Sequence, residues 1–219
     1  MARQERAVRT RNQLIASAAG TFRRRGFAES SLAEIRDEVC VSSGALYFHF
    51  ENKAALASAV VDEASRILRA AARDGRRKRV PTLQRLIDTT HVLAELLRDN
   101  VVAQAGFQLS CTGHGGIGPN LREEWWGCVK QMLAEAEGEG ALNPRVSRQD
   151  LASLIMATMV GFEMLGRDNP SWLSRLSLTA FWTHQLPVVA RPEELTGLNP
   201  EGSELAMTSV RRLAQPPRV

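Results

Sequence analysis

Apolar side chains recur every three or four residues along most of this chain, which is the spacing of one face of an α-helix. Near the N-terminus, the stripe that includes Leu14, Ala18 and Phe22 predicts a first helix over residues 5–25. Gly26 follows it, where a left-handed C-terminal cap is favoured. Long alternations of polar and β-branched residues, which would indicate strands, are absent from the sequence. The pattern therefore predicts an all-α fold.

Two short helices joined by a tight turn are predicted between Ser31 and Lys53. Ser31 and Glu34 have the spacing of a capping box at the start of the first helix, and Ser42 or Ser43 caps the second. The apolar positions are Leu32, Ile35 and Val39 in the first helix and Ala45, Leu46 and Phe50 in the second. This is the layout of a helix-turn-helix motif, whose second helix enters the major groove of DNA.

A larger helical body is predicted to follow this three-helix head. Asn52 caps a long helix that frays over residues 75–81, and further helices are predicted over residues 82–98, 101–111, 121–137, 147–166 and 171–189. A Gly-rich loop is predicted over residues 112–119. We therefore expect a helix-turn-helix domain over residues 1–53, a helical body over 54–190 and an irregular tail over 191–219.

Positive charge is concentrated in the first part of the sequence. The chain has 219 residues and a net charge of +4, and its first 50 residues hold eight Arg against five acidic residues. A second basic run, over residues 66–85, holds seven Arg and one Lys against a single acid, Asp74. This asymmetry favours a polyanion-binding module at the N-terminus.

Other classes of protein find little support in the sequence. No run of about 18 apolar residues predicts a membrane span, and the basic start lacks the apolar stretch of a secretory signal. Three widely spaced Cys fit free thiols in a reducing cytoplasm, where we place the protein. Because the His and Cys residues lack metal-ligand spacing and no catalytic pair is evident, we expect no metal, no cofactor and no enzyme activity.

The second short helix has an outer face suited to DNA. Its first turn is slim enough to approach the major groove, and Tyr47 and His49 can form hydrogen bonds with phosphate oxygens. Lys53 adds a charge and a helix N-terminus for a further phosphate. The residues expected to bind DNA are Arg3, Arg6 and Arg9, as an arm along the backbone or minor groove, and Ser31, Ser42, Ser43, Gly44, Ala45, Tyr47, His49 and Lys53.

Apolar and aromatic positions in the body are candidates for lining a ligand pocket, with a few polar side chains as anchors. The alternative is that these stripes are ordinary core, as Met and aromatic residues at helical spacing usually are. The residues expected to bind a ligand are His91, Phe107, Gln108, Trp125, Trp126, Thr158, Met159 and Phe162.

The first 60 residues resemble the DNA-binding head of TetR-family repressors. The segments TRNQLIASAAGTFRRRGF and SSLAEIRDEVCVSSGALYFHFENKAAL carry the resemblance. Two positions depart from the family pattern: Cys40 replaces the usual Gly of the turn, which predicts strain, and Ser43 stands where many members carry Lys. The resemblance implies a homodimer on a palindromic operator, with the last two long helices of each body forming a four-helix interface.

Further segments are similar to the γ-butyrolactone receptor branch of that family. They are the opening MARQ, the run GALYFHF and the body segment EEWWGCVKQMLAEA. The resemblance implies a ligand contact at Trp125, or at Trp126 if the register slips by one, and a ligand-bonding hydroxyl at Thr158. It also implies a repressor released from its operator by a small, mostly apolar diffusible signal such as a γ-butyrolactone, butenolide or furan.

Three alternatives remain open at this point. A regulator of the same family could respond to an antibiotic or a biosynthetic intermediate instead of a dedicated signal. A small helical enzyme could use the body cavity, with the head for targeting. A nonspecific architectural protein would bind DNA with strong salt dependence and without sequence preference.

Overall fold

The computed structural model describes residues 2–76, 80–111 and 117–204, and within these ranges the chain is helical, with no strand. The predicted all-α fold is confirmed. The nine α-helices of the described ranges are α1 (Ala2–Glu29), α2 (Leu32–Val39), α3 (Ser43–His49), α4 (Lys53–Arg76), α5 (Thr82–Asp99), α6 (Val101–Ser110), α7 (Leu121–Gly138), α8 (Arg148–Gly166) and α9 (Arg175–Val189). Two short 3₁₀ helices, Pro170–Leu173 and Leu195–Gly197, lie before and after α9.

The chain divides into two compact units. Of the described residues, the first contains those of Met1–Ile67 and Asn100–Arg122, and the second contains those of Leu68–Asp99 and of residues 123–204. This grouping puts α6 with the head helices, whereas the sequence pattern assigned the whole of residues 54–190 to one body. The reason is that α6 packs on α1, far away in sequence.

Glycine shapes the end of α1. Gly26 has φ 78° and ψ 168°, and the helix resumes for one short turn up to Glu29. The expected left-handed cap has the correct sign of φ but not the αL value of ψ, so the helix is interrupted at Gly26 and not ended there. Only glycine adopts this region without a steric penalty.

The turn between α2 and α3 carries backbone strain at Cys40. Its φ of 55° and ψ of 42° are left-handed, and no other described non-glycine residue has a positive φ. A side chain in this conformation costs about 1–2 kcal/mol relative to a right-handed one. Strain is therefore present where Cys40 was expected to introduce it.

A close helix contact organises the first unit. In α6, Gly106 lies so near α4 that a Cβ at this position would stand 2.3 Å from the Cβ of Ala64 and 3.6 Å from the Val60 carbonyl oxygen. On the other side of the unit, the Arg23 guanidinium of α1 donates a hydrogen bond to Gln104 of α6. The absent side chain of Gly106 thus permits α4 and α6 to pack backbone against backbone.

The second unit is built around α5, which is buried along nearly its whole length and contacts α8 and α9. Trp182 of α9 is fully buried, and its indole Nε1–H donates to Thr90 Oγ1 of α5 at 2.8 Å. After α9, Asn199 to Ser203 return to α5. The Asn199 amide N–H donates to Gln84 Oε1 at 2.7 Å, and the Ser203 hydroxyl donates to Asp88 Oδ2 at 2.6 Å.

The first part of the predicted irregular tail is therefore attached to α5, and residues 205–219 lie outside the described ranges. The Gly-rich loop prediction also falls largely outside them, over residues 112–116. None of the described helices is long and apolar enough to span a bilayer.

Replacing Gly106 by Ala should destabilise the chain by about 1–3 kcal/mol, because the added methyl group overpacks the α4–α6 contact. Gly127→Ala is the matched control: Gly127 lies in α7 with nothing within 4 Å of its would-be Cβ. The control should gain up to about 1 kcal/mol of helix propensity. Urea unfolding midpoints of the two variants check this, and equal shifts would contradict the packing argument.

Candidate nucleic-acid interface and ligand pocket

Two buried side chains fix the position of α3. Leu46 and Phe50 point into the head core, and Ser42 caps the helix by accepting a hydrogen bond from the Ala45 amide at 3.1 Å. A helix seven residues long, anchored at these points, must present its remaining positions outward. Tyr47 is 58% exposed and Phe48 is 78% exposed.

Phe48 was not among the expected DNA contacts. The sequence could have indicated this contact. The core positions of α3 are Leu46 and Phe50, and Phe48, between Tyr47 and His49, falls on neither of them. A large apolar side chain this exposed is one that a binding partner can cover, and Phe is among the side chains that contact the thymine methyl group in the major groove.

The first turn of α3 is more restrained than its sequence indicates. The Arg36 guanidinium donates through Nη1 to Ser43 Oγ at 2.9 Å and pairs with Asp37 at 2.6 Å. Gly44 is open, since a Cβ there would meet only Ser42 Oγ, at 4.0 Å. The hydroxyl of Ser43 is thus oriented from α2, and Gly44 leaves room for close approach of a DNA groove.

His49 is half-buried beside the rings of Phe48 and Phe50. Burial lowers the pKa of its imidazole, and the nearby positive charge of Arg11 lowers this pKa further. The imidazole is therefore neutral at pH 7, so any phosphate contact would use a neutral N–H donor. The Arg11 guanidinium lies 5.4 Å from the centre of the Phe50 ring and helps to close this side of the head.

Lys53 has a different environment from the one its expected phosphate contact requires. Its ammonium donates to the carbonyl oxygens of Phe27 at 2.7 Å, Ala28 at 3.1 Å and Ser30 at 2.9 Å. It also lies 4.6 Å from the centre of the Phe27 ring. An ammonium has three N–H donors, and all of them are used within the head, so the phosphate contact, which stays a prediction, would have to compete with these carbonyl oxygens.

The other expected DNA contacts lie on exposed or half-buried positions of the head. Arg6 and Arg9 are exposed on α1, while the side chain of Arg3 lies outside what the structure describes. Ser31 caps α2 by accepting from the Glu34 amide at 3.2 Å. The Glu34 carboxylate pairs with Arg25 at 3.2 Å.

In the body, His91 is the clearest departure from expectation. It is buried, its Nε2 is 2.9 Å from the Pro200 carbonyl oxygen, and its ring is covered by Gly202. Burial lowers the pKa of this imidazole, chiefly by desolvation. The ring therefore holds the returning C-terminal segment on α5, and its role as a ligand anchor stays a prediction.

Trp125 differs from the other body residues of the expected set. It is only 2% exposed, yet its indole Nε1–H is buried without a hydrogen-bond partner. In the second unit, Met159 is buried, Thr158 and Phe162 are half-buried, and Trp126 is half-buried beneath Lys130. Phe107 is buried and Gln108 half-buried within the first unit.

A pocket of about 220 Å³ opens in the second unit, between the C-terminal part of α4, the start of α5 and one side of α7. It is lined by Arg69, Ala72, Arg73, Arg85, Cys128, Gln131 and Met132. The expected ligand contacts do not line it, but Trp125 precedes Cys128 and Met132 by three and seven residues, so the three share one side of α7. Within the described ranges, no cluster of His, Cys, Asp and Glu could hold a metal ion.

Comparison with known proteins relates this geometry to regulators. The family model described as "Bacterial regulatory proteins, tetR family" matches residues 14–60. The A-factor receptor protein of Streptomyces griseus is 32% identical over 203 residues, which is 92% of this chain and 71% of that protein.

Solved structures give the same relationship over nearly the full length. A γ-butyrolactone receptor described as an ArpA-like protein superposes with a TM-score of 0.73 at 26% identity, covering 96% of this chain and 98% of its own. CprB of Streptomyces coelicolor, solved in complex with its biological operator sequence, also has a TM-score of 0.73, at 27% identity, with 96% and 99% covered.

Lys53→Met should lower the stability of the free protein by about 1.5–3 kcal/mol, since it removes charge-assisted bonds to three carbonyls. The control is Arg9→Met, which removes an exposed cation from α1 and should leave the melting temperature unchanged. Thermal denaturation without DNA separates the two roles. A Lys53→Met protein that melts like the native chain but binds DNA weakly would restore the phosphate role.

Proposed function

This chain belongs to the TetR family of bacterial regulatory proteins, in its γ-butyrolactone receptor-like branch, and on that premise we propose how it works. It acts in the cytoplasm as a homodimeric repressor, in which α3 of each protomer reads one half of a palindromic operator. A small diffusible signal of the γ-butyrolactone, butenolide or furan kind binds the body and releases the DNA. The unpartnered indole N–H of Trp125 is the observation that carries the signal-binding part of this proposal.

Readout of the operator is assigned to the outer face of α3. Gly44 and Ala45 form the slim entry, Ser43 is oriented by Arg36, and Tyr47 and Phe48 project furthest from the head. These positions suit contacts to base edges and sugar-phosphate, since a recognition helix enters the groove through its N-terminal part. The relative CprB is described as bound to an operator, which supports this assignment.

The signal is assigned to the neighbourhood of Trp125. A buried donor that lacks an acceptor destabilises a fold by about 1–3 kcal/mol, which a ligand oxygen would recover on binding. A lactone or furan supplies such an oxygen on an otherwise apolar skeleton. A buried side chain with one free donor matches the chemistry of small-molecule pockets, in which few polar groups fix the orientation of a mostly apolar ligand.

Release follows from a shift in population between two conformations. A ligand that prefers the conformation with poor operator affinity raises its population. A coupling free energy of about 1–3 kcal/mol weakens DNA binding about 5–150-fold. The helix α4 contributes residues to both compact units, so it connects the head and the ligand-binding part along the chain. In the released state, the two recognition helices no longer match successive major grooves about 34–36 Å apart.

A second copy of the chain is assigned to the apolar face of α8 and α9. Leu176 is 81% exposed, and Leu154, Leu165 and Val188 are also exposed. Around α9, Leu176, Ala180, Thr183 and Pro187 follow one another at helical spacing with no charge among them. An uncharged face with small residues suits close helix packing, and the family resemblance implies a four-helix interface here.

A gel-shift titration on the DNA upstream of its own gene tests the regulatory proposal. A specific band should form and should collapse with γ-butyrolactone, while Tyr47→Ala should weaken the band at least tenfold.

Trp125→Phe removes the indole N–H and should retain the band while losing the response to the signal. Trp126→Phe is the matched control and should respond normally. A band that persists with γ-butyrolactone would overturn this signal class and favour an antibiotic or intermediate as effector. Binding without sequence preference would overturn the repressor itself.

Leu176→Glu should raise the dimer dissociation constant at least tenfold, because it places an unpaired carboxylate in the apolar interface. Val8→Glu is the control, since Val8 is also an exposed apolar residue but lies on α1, away in sequence from α8 and α9. Analytical ultracentrifugation measures both variants. If Leu176→Glu left the sedimentation coefficient unchanged over a dilution series, the interface would have to lie elsewhere.

A further inference from the structure

The pocket between α4, α5 and α7 has a charge pattern of its own. Three of its seven lining residues are arginines: Arg69 and Arg73 on α4, and Arg85 on α5. This differs from the mostly apolar site expected for an uncharged signal. The question is whether the three positive charges are already neutralised within the protein.

Two of the arginines have carboxylate partners. Arg69 forms a bidentate pair with Glu124, with Nη2 at 2.6 Å from Oε1 and Nε at 3.2 Å from Oε2. Arg85 is mostly buried and pairs through Nη2 with Glu135. Glu135 also accepts a bond from the Gln131 amide at 3.1 Å. These pairs hold the walls of the pocket in place and neutralise the charges of Arg69 and Arg85.

Arg73 is different. Its Nε–H donates to the backbone carbonyl oxygen of Arg69 at 3.1 Å, which fixes the start of the guanidinium along α4. Among the carboxylates whose side chains the structure describes, none pairs with it. Because a guanidinium has five N–H donors, four remain for a ligand, in a planar arrangement that matches a carboxylate.

The other side of the pocket is apolar or weakly polar. Met132 is buried, and Ala72 and Cys128 are half-buried. The volume of about 220 Å³ is below the roughly 300–1,000 Å³ typical of drug-sized ligands. The pocket therefore suits a small amphipathic molecule, with one charged end and a short apolar part.

We propose that this pocket binds the carboxylate of a small amphipathic acid through Arg73, with the apolar part of the acid against Met132 and Ala72. The ligand read at this site is thus an anion, in contrast to the uncharged signal assigned to the neighbourhood of Trp125. Its binding can be measured by itself, but its role as an effector rests on the regulatory function proposed above.

A lactone and its ring-opened 4-hydroxy acid form a suitable pair of probes. They share one carbon skeleton, and the acid is fully ionised at pH 7.5 because an aliphatic carboxyl group has a pKa near that of Glu. We would titrate γ-decanolactone and 4-hydroxydecanoate separately into the full chain by isothermal calorimetry. The native chain should bind the acid through Arg73, and it should bind the lactone only at the separate site assigned to Trp125.

Arg73→Gln should weaken binding of the acid at least tenfold and leave binding of the lactone unchanged, and Arg73→Lys should recover part of the affinity for the acid. Arg66→Gln is the matched control: Arg66 lies on the same helix, pairs with Glu63 at 2.5 Å and does not line the pocket. It should bind like the native chain. Circular dichroism of each variant checks that the helices are intact.

No binding of the acid, or unaltered binding of the acid in Arg73→Gln, would each overturn the proposal. Gel shifts separate this from the regulatory function. If operator binding persists while neither probe binds, the anion site fails and the DNA-binding claim stands. If the acid binds through Arg73 but leaves the operator complex unchanged, the anion site stands and the switch fails.

Discussion

The geometry of the DNA-binding surface depends on one ammonium group. Lys53 begins α4, and its three N–H donors bind carbonyl oxygens at the end of α1 and in the connection to α2, above the Phe27 ring. Carbonyls at a helix end lack intrahelical partners and must be satisfied by another group. A single charge therefore ties the start of α4 to the end of α1 and to the connection that leads into α2, and α2 and α3 lie in the chain between these two points. A positive charge in a DNA-binding head can therefore stabilise the fold, and its presence alone does not identify a DNA contact.

Local patterns predicted the helices well because the information lies within a few residues. Helix caps at Ser31, Ser42 and Asn52 are confirmed by side-chain bonds to amides three residues later. The strain at Cys40 was expected from the family resemblance, because Gly usually occupies this position of the turn, and the structure shows the αL backbone there. Each of these features is decided by backbone groups within one turn of the side chain, and nothing distant can displace them.

What could not be predicted depends on partners far away in the sequence. The carbonyl oxygen that is hydrogen-bonded to His91 belongs to Pro200. The carbonyl oxygens that accept hydrogen bonds from Lys53 lie about 25 residues earlier in the chain. Neither pairing leaves a periodic trace. The arginine pocket is similar, since the sequence shows a basic run over residues 66–85 but not that Arg69 and Arg85 are paired with acids of α7 while Arg73 is not. A charge count locates a basic segment, and only the fold decides which charges remain available.

The exposed thiol of Cys40 makes the head accessible to spectroscopy. Cys111 and Cys128 are half-buried, whereas Cys40 stands exposed in the turn that leads into α3. A nitroxide or fluorophore attached there would sit beside the recognition helix without any engineered cysteine. In a dimer, two such labels would report the separation of the two heads in solution, and changes in that separation could be followed as ligand or DNA is added. The residue that strains the turn thus gives the protein a native labelling site for measuring the distance between the two heads.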